Sequence, residues 1–347
     1  MQIGLFHLFP QRDPAKPVQQ VFDEARDQVV LAEQTGFDFA WFAEHHFSNF
    51  SLCPSPLMMV AWCAGQTSRI RLGAGVAVLP LYNPMRLLDE VIWAHTVSRG
   101  RMLLGVGTGN QLHEFLGLGI APEVAYERFS EALDILDQGL HRGEVEYTGK
   151  HFAVPHTHLS LRLETPPEIW VAGARIPGMA ERIAAKGYLP FVAAGWMPAA
   201  TLLPARAAYQ AAWQAAGRAG DTPFGVQRTV YVSADEQDRL AACEQARHTH
   251  RMIHALKGKL ARLPQGIVPE APAPGEPSLE QIADMAVIGD ADHCVTRLLE
   301  DLETLKVTHF SLNMQFGGLT GEQVRASMQR FAEQVMPRVR AAGIKLS

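Results

Sequence analysis

The chain has 347 residues, 47% of them hydrophobic and 19% charged, and carries a formal net charge of −5. Those proportions exclude a disordered chain and a coiled coil. The 31 basic and 36 acidic side chains are dispersed, so there is neither a basic face for nucleic acid nor a Lys/Arg-rich amphipathic stretch for a membrane surface.

No apolar run reaches the roughly 18 residues of a membrane-spanning helix. The opening MQIGLFHLFP lacks a charged start and a small-residue cleavage site, and reads as a first strand rather than a leader. Cys53, Cys63, Cys243 and Cys294 form no CxxC pair, which points to free thiols and a cytoplasmic protein.

Short apolar runs mark eight strands, at 2–8, 37–43, 71–79, 102–107, 168–172, 189–194, 225–232 and 309–315. Runs such as VAVL and IWVA suit strands covered on both faces, as in a parallel sheet. Between them, amphipathic stretches at 18–35, 84–97, 121–140, 176–186, 198–216, 236–263, 291–305 and 320–342 predict helices. The first stops at Gly36, and Pro84 suits a first helical position. This alternation predicts an α/β fold, a (β/α)8 TIM barrel forming one domain over 1–347; a doubly wound open sheet is the other arrangement it permits. Two stretches interrupt the pattern. Residues 141–163, with the turn pairs Arg142-Gly143 and Thr148-Gly149, read as a small β excursion. Residues 263–279 (LPQGIVPEAPAPGEPSL) read as a mobile lid rather than a bare linker.

The densest chemical cluster is Trp41-Phe42-Ala43-Glu44-His45-His46-Phe47, at the end of the second strand. Barrel enzymes place their functional groups at such ends. Consecutive strand side chains point to opposite faces, so one histidine would reach the barrel mouth and the other pack outward. A histidine there suits acid/base work near neutral pH; a buried pair holding loop carbonyls is the plain alternative. His156 and His158, like His248 and His250, have HxH spacing. Neither pair lies on the first strand, and i and i+2 diverge on a helix, so no metal is expected. Gly105-Val106-Gly107-Thr108-Gly109-Asn110 is neither a dinucleotide fingerprint nor a phosphate loop. With Gly73-Ala74-Gly75-Val76 and Ala172-Gly173-Ala174, it leaves small residues at three strand ends, which gives a planar ligand room. Arg128 and Arg175 are candidate partners for an anionic cofactor.

In this order and spacing, GFDFAWFAEHHF, RIRLGAGVAVLPLYNPMRLLDEV, SRGRMLLGVGTGNQLHEFLGLGI, AYERFSEALDIL, PPEIWVAGA, IGDADHC and MQRFAEQVMP resemble the bacterial luciferase-like monooxygenase family over almost the whole chain. EHHF is similar to its alkanal-oxidising branch. The resemblance implies a barrel that uses reduced FMN, delivered by a separate flavin reductase. Reaction with O2 would give a C4a-peroxyflavin that oxidises a small or medium apolar organic substrate such as an aldehyde or ketone. The protein would hold the ring and exclude water. The alternatives are an F420-dependent oxidoreductase and a flavin-binding paralogue without turnover. Light emission is not implied.

The resemblance also implies roles. His45 would be the catalytic base or stabilise the oxygenated flavin, with His46 as its supporting neighbour. Gly75 and Val76 would form a non-prolyl cis peptide beneath the flavin. Thr108 and Glu114 would lie near the flavin edge, and Arg128 near its phosphate. Ala172, Gly173 and Ala174 would meet the phosphate through backbone groups. Arg175 would compensate for a serine that the family often carries near Ala174. Gly107 stands where the luciferase branch has a reactive cysteine, and Thr108 where it has arginine. Residues 263–279 fall near the family's active-site loop. Finally, 54–66 (PSPLMMVAWCAGQ) is apolar on nearly every side, which predicts a homodimer contact made with 84–97.

Overall fold

The structure, a computed structural model, describes residues 1–173, 176, 178–257 and 260–346. In chain order its main elements are β1 (Gln2–His7), α1 (Val18–Thr35), β2 (Phe39–Phe42), α2 (Pro56–Ala64), β3 (Arg71–Val78), α3 (Pro84–Val97), β4 (Met102–Gly107), α4 (Leu112–Gly117) and α5 (Ala125–Arg142). They continue with β5 (Glu144–Thr148), β6 (Ala153–His158), β7 (Glu168–Ala172), α6 (Met179–Lys186), β8 (Leu189–Gly195), α7 (Leu203–Ala215), β9 (Gly225–Val232) and α8 (Glu236–Lys257). The last are α9 (Leu279–Met285), β10 (Val287–Gly289), α10 (Ala291–Leu305), β11 (His309–Gln315), α11 (Gly321–Arg330) and α12 (Met336–Leu346).

Strands β1, β2, β3, β4, β7, β8, β9 and β11 pair in parallel, and the β8–β9 pairing closes them into a ring. This is a (β/α)8 barrel, not an open sheet. The short β10 adds to the C-terminal end of β9, pairing with Val230–Val232. β5 and β6 form a separate antiparallel hairpin.

Local chemistry sets the helix ends. α1 stops because Gly36 adopts φ 89, a left-handed conformation in which a side chain is strained. α3 starts at Pro84, where Asn83 accepts from the N–H groups of Met85 and Arg86. Several elements differ from the sequence expectation, among them β2 (Phe39–Phe42 against 37–43) and α5 (Ala125–Arg142 against 121–140). Of the run over 236–263, α8 covers Glu236–Lys257, and residues 260–263 lie outside any helix. The 320–342 run is broken by a π-helical stretch, Phe331–Val335. α4 and α9, of six and seven residues, are too short to show a 3.6-residue period.

Cross-barrel contacts show which strand faces look inward. Trp41 meets Trp170 at 6.0 Å and Phe191 at 6.3 Å between ring centroids, and Trp170 meets His309 at 4.5 Å. Phe39, Trp41, Leu103, Trp170 and Phe191 thus fill the lower barrel as an aromatic floor. Burial on this floor pushes the His309 pKa down to about 3, with Arg71 adding to the effect, so its ring is neutral. Above the floor, the lumen-facing series ends in Phe6, Ala172 and Ala193. Phe6 and Ala172 are half-buried and Ala193 is exposed, so the upper lumen is open at the C-terminal ends of the strands.

Candidate active site

β2 ends at Phe42, so both histidines lie on the following loop, where strand alternation does not separate them. Two buried carboxylates hold them apart instead. Glu114, on α4, accepts the His46 backbone N–H at 2.9 Å and lies 3.0 Å from His45 Nδ1. A carboxylate can only accept, so Nδ1 carries the proton and Nε2 is left as the acceptor of the ring. The Gln111 side-chain amide lies 3.1 Å from the same Nδ1. Glu44 is 2.9 Å from His46 Nε2, and its other oxygen accepts from the Tyr82 hydroxyl at 2.7 Å and the Val78 N–H at 3.1 Å. His113 Nε2 donates to the His46 carbonyl at 3.1 Å. Phe50 packs edge-on against the His45 ring at 4.9 Å.

Burial and pairing compete at each of these groups. Burial works against the Glu114 charge, but the hydrogen bond and charge of His45 and the His46 N–H outweigh it and hold the carboxyl below its usual range. Burial likewise pulls His46 down, yet Glu44, helped by Glu114, lifts it above 6.5. At His113 burial wins, and the ring stays neutral more readily. Burial and the Glu44 charge push the Tyr82 phenol up, so it is a fixed hydroxyl donor. Burial also raises the Cys53 and Cys63 thiols to about 12, so neither is a nucleophile at neutral pH.

Three of the glycines read from the sequence as leaving room for a ligand are filled by the chain itself. A Cβ on Gly73 would lie 2.4 Å from the Trp41 ring, and one on Gly75 would lie 2.8 Å from Trp41 Cβ. On Gly105 it would lie 2.4 Å from the Ala74 carbonyl. Gly73 and Gly75 make room for Trp41 and Gly105 for the β3 backbone, not for an open space. The Gly75-Val76 peptide is cis. Gly107 faces Val76 across the lumen side, with 2.8 Å between a built Cβ and Val76 Cγ2. Thr108 is half-buried and its hydroxyl donates to the Gly109 carbonyl at 3.3 Å. Ala172 and Gly173 are half-buried at the end of β7; Ala174 and Arg175 lie outside the described residues.

Arg128, on α5, donates to the Pro80 carbonyl at 2.9 Å and the Tyr82 carbonyl at 3.4 Å, and its guanidinium lies 4.7 Å over the Phe152 ring. No ion pair among the described residues includes it, although the Glu131 charge acts on it without direct contact. Partial burial lowers its pKa, though an arginine remains charged.

The sequence reading missed a polar wall in the upper lumen. His309 faces inward, so Ser311 and Asn313 do too by alternation; Gly225 abuts Trp170 and Phe191, so Gln227 and Thr229 follow it inward. Ser311 Oγ and Asn313 Oδ1 are buried and lack a hydrogen-bond partner. Such an orphan costs about 1–3 kcal/mol, which a ligand or water would offset. The signal was present in HFSLNMQ, where polar and apolar residues alternate on a strand that should be apolar on both faces.

The 263–279 segment reaches the same region. His45, His46, Phe47 and Asn49 share a cleft of about 530 Å³ with Gln265, Gly266 and Ile267. Asn49 ties the two loops: its N–H donates to the Gly266 carbonyl at 2.8 Å, and its side chain accepts the Val268 N–H at 2.9 Å. Val268 also joins Leu8, Ala43, Phe50, Met252 and Leu256 in an apolar cluster by the mouth. Farther along, Arg251 of α8 grips Glu276.

Residues 1–309 match the family model described as luciferase-like monooxygenase. The chain is 36% identical over 343 residues to the uncharacterized protein y4vJ of Sinorhizobium fredii, covering 98% of this chain and 97% of that one. It is 25% identical over 348 residues to the oxygenase component of a flavin-dependent trigonelline monooxygenase of Acinetobacter baylyi, covering 97% and 95%. Among solved structures, the monooxygenase RslO1 of Streptomyces bottropensis superposes with a TM-score of 0.85 at 22% identity, covering 97% and 99%. The oxygenating constituent of 3,6-diketocamphane monooxygenase of Pseudomonas putida, in complex with FMN, gives 0.78 at 19%, covering 97% and 98%. An F420-dependent secondary alcohol dehydrogenase gives 0.76 at 17%, covering 98% and 99%.

Proposed function

This chain belongs to the luciferase-like monooxygenase family, and from that premise we propose that it is the oxygenase of a two-component system, using reduced FMN and O2 to oxidise a small or medium organic carbonyl compound. The observation that carries this reading is an imidazole, His45, whose Nδ1 is fixed by the buried Glu114 and which lines a cleft just beyond the C-terminal end of β2. The residues fit a flavin. The lumen rim at Ala172 and Ala193 is open, and Arg128 offers a cation that no ion pair among the described residues includes. Arg128, with Ala172 and Gly173, would hold the phosphate end; Thr108, Val76 and Gly107 would border the ring. When bound, reduced FMN supplies the two electrons that place one oxygen atom of O2 on the substrate and release the other as water.

The chain's own groups do the rest. Glu114 holds His45 in one tautomer, so Nε2 takes or returns a proton without a change of ring orientation. Glu44 and Tyr82 anchor His46, and with it the loop. The Ser311 and Thr229 hydroxyls and the side-chain N–H groups of Gln227 and Asn313 provide donors for a substrate carbonyl, the unpartnered Asn313 Oδ1 accepts from water or a substrate O–H, and Phe6, Leu8 and Phe50 suit the apolar body of the substrate. The 263–268 segment, tied through Asn49, limits water at the cleft. The trigonelline relative, named as an oxygenase component, supports a separate reductase that delivers the reduced flavin.

Titration with FMN, reduced FMN and F420, followed by oxidation of the reduced cofactor with aldehydes and ketones, tests the reading. We expect reduced FMN to bind and product to form. His45→Ala should lower product per flavin oxidised by about 10²–10⁴-fold, the range for loss of an acid/base group, with flavin affinity little changed. Asn313→Ala should raise the substrate KM and leave flavin affinity alone. Tight binding of F420 alone, with hydride transfer, would reverse the assignment.

A further inference from the structure

The HxH motif at 156–158 takes no part in the barrel chemistry, yet the hairpin brings it to a third ligand. β6 runs antiparallel to β5, with His158 directly across from Glu144. His156 and His158 are two residues apart on one strand, so both rings stand on the same face; their centroids are 4.6 Å apart. Both converge on one carboxylate oxygen. Glu144 Oε2 lies 3.1 Å from His158 Nδ1 and 3.5 Å from His156 Nε2. One ligand atom from each residue lies within 4.8 Å of the other two.

Two of those spacings are close to the edges of a coordination sphere. Four ligands held tetrahedrally at about 2.0–2.1 Å from an ion stand roughly 3.3 Å from one another. Both carboxylate–imidazole separations already fall near that edge length. Two imidazoles and one carboxylate suit borderline ions such as Zn2+, Ni2+ or Cu2+, and not Mg2+ or Ca2+, which prefer oxygen. The side chains are 44–62% exposed, so the ion need not be stripped of all its water, and one or more positions stay open.

We propose that Glu144, His156 and His158 form a surface site for one divalent transition-metal ion, zinc being the probe of choice. The site lies away from the catalytic mouth. The hairpin runs back along α5, its tip at Lys150 and His151 bonded to Glu127 near the helix start, and Glu146 bonded to Gln138 near the helix end. Glu144 and His158 therefore sit at the hairpin base, beside the end of α5 and toward the N-terminal ends of the strands. Metal there pins the two strands together and does not touch His45.

Calorimetric titration of the untagged protein with ZnCl2 tests this. One saturable ion per chain is expected. His156→Ala and His158→Ala should each weaken it at least tenfold, while His141→Ala, on α5 outside the cluster, should not. Zinc should also raise the unfolding temperature of the parent and not of His158→Ala. Absence of saturable binding overturns the proposal, as does an isotherm that both cluster variants leave unchanged. Neither outcome bears on flavin binding, which is measured separately.

Discussion

His46 shows how one substituted atom would reveal the wiring of the site. Its charged form is raised above the ordinary 6.5 because the hydrogen bond and charge of Glu44 outweigh the penalty of burial. The unfolded chain would titrate it near 6.5. The stabilisation from this pair is therefore complete below that value and fades as pH rises through the higher folded value. Glu44→Gln should move the His46 midpoint down, read from imidazole NMR shifts, and should cost more thermal stability at pH 6 than at pH 9. A native midpoint at or below 6.5 would sink the argument. At this scale the sequence was partly legible. EHHF pointed to the candidate site, and Glu114 and Arg128 were named through the resemblance. Tyr82, Gln111 and His113 did not, because their partners are 38 to 67 positions away in the chain and only folding joins them. Gly73, Gly75 and Gly105 misled for a similar reason: a missing side chain makes space, but the sequence does not say whether a ligand or the chain itself fills it.

Among the elements, the barrel strands were the most legible. Runs such as MLLGVG and EIWVA are bounded by turn residues and covered on both sides, so their ends coincide with changes in composition. The helix that lines the mouth was less so, because amphipathic periodicity continues to residues 260–263, which are not helical. The 263–279 segment is held chiefly by polar ties, with Asn49 at one end and Arg251 at the other. We propose that it opens and closes over the cleft. Asn49→Ala removes its part-buried side-chain bonds to the Val268 N–H and the Gln11 carbonyl, each worth about 0.5–1.5 kcal/mol, which loosens the lid and leaves the barrel folded. Hydrogen peroxide released per reduced flavin should rise while the unfolding temperature changes little. Stopped-flow reoxidation with peroxide quantification checks this, and unchanged uncoupling would leave the segment without a shielding role.

The molecule as a whole presents one face that its own chain does not cover. α2 buries Leu57, Met59, Val60 and Cys63, but Met58 is 75% exposed. On the adjacent α3, Trp93 is 52% and Val97 is 40% exposed. The helix is thus not enclosed on all sides within one chain, and its outer face continues onto α3 as an apolar stripe. Arg26 stacks 5.3 Å from Trp62 and shields only that edge. Exposed apolar groups gathered on neighbouring helices mark contact surfaces more often than scattered ones do. We propose that a second copy covers this stripe by a two-fold contact, in which each α2 meets the partner's α2–α3 face. Light scattering should then give twice the 38.1 kDa chain mass. Met58→Glu and Trp93→Glu put a charge into the centre of such an interface and should each yield monomers with the barrel intact by circular dichroism. A monomeric mass for the parent protein at micromolar concentration removes the dimer, and with it any reason for the stripe to be apolar.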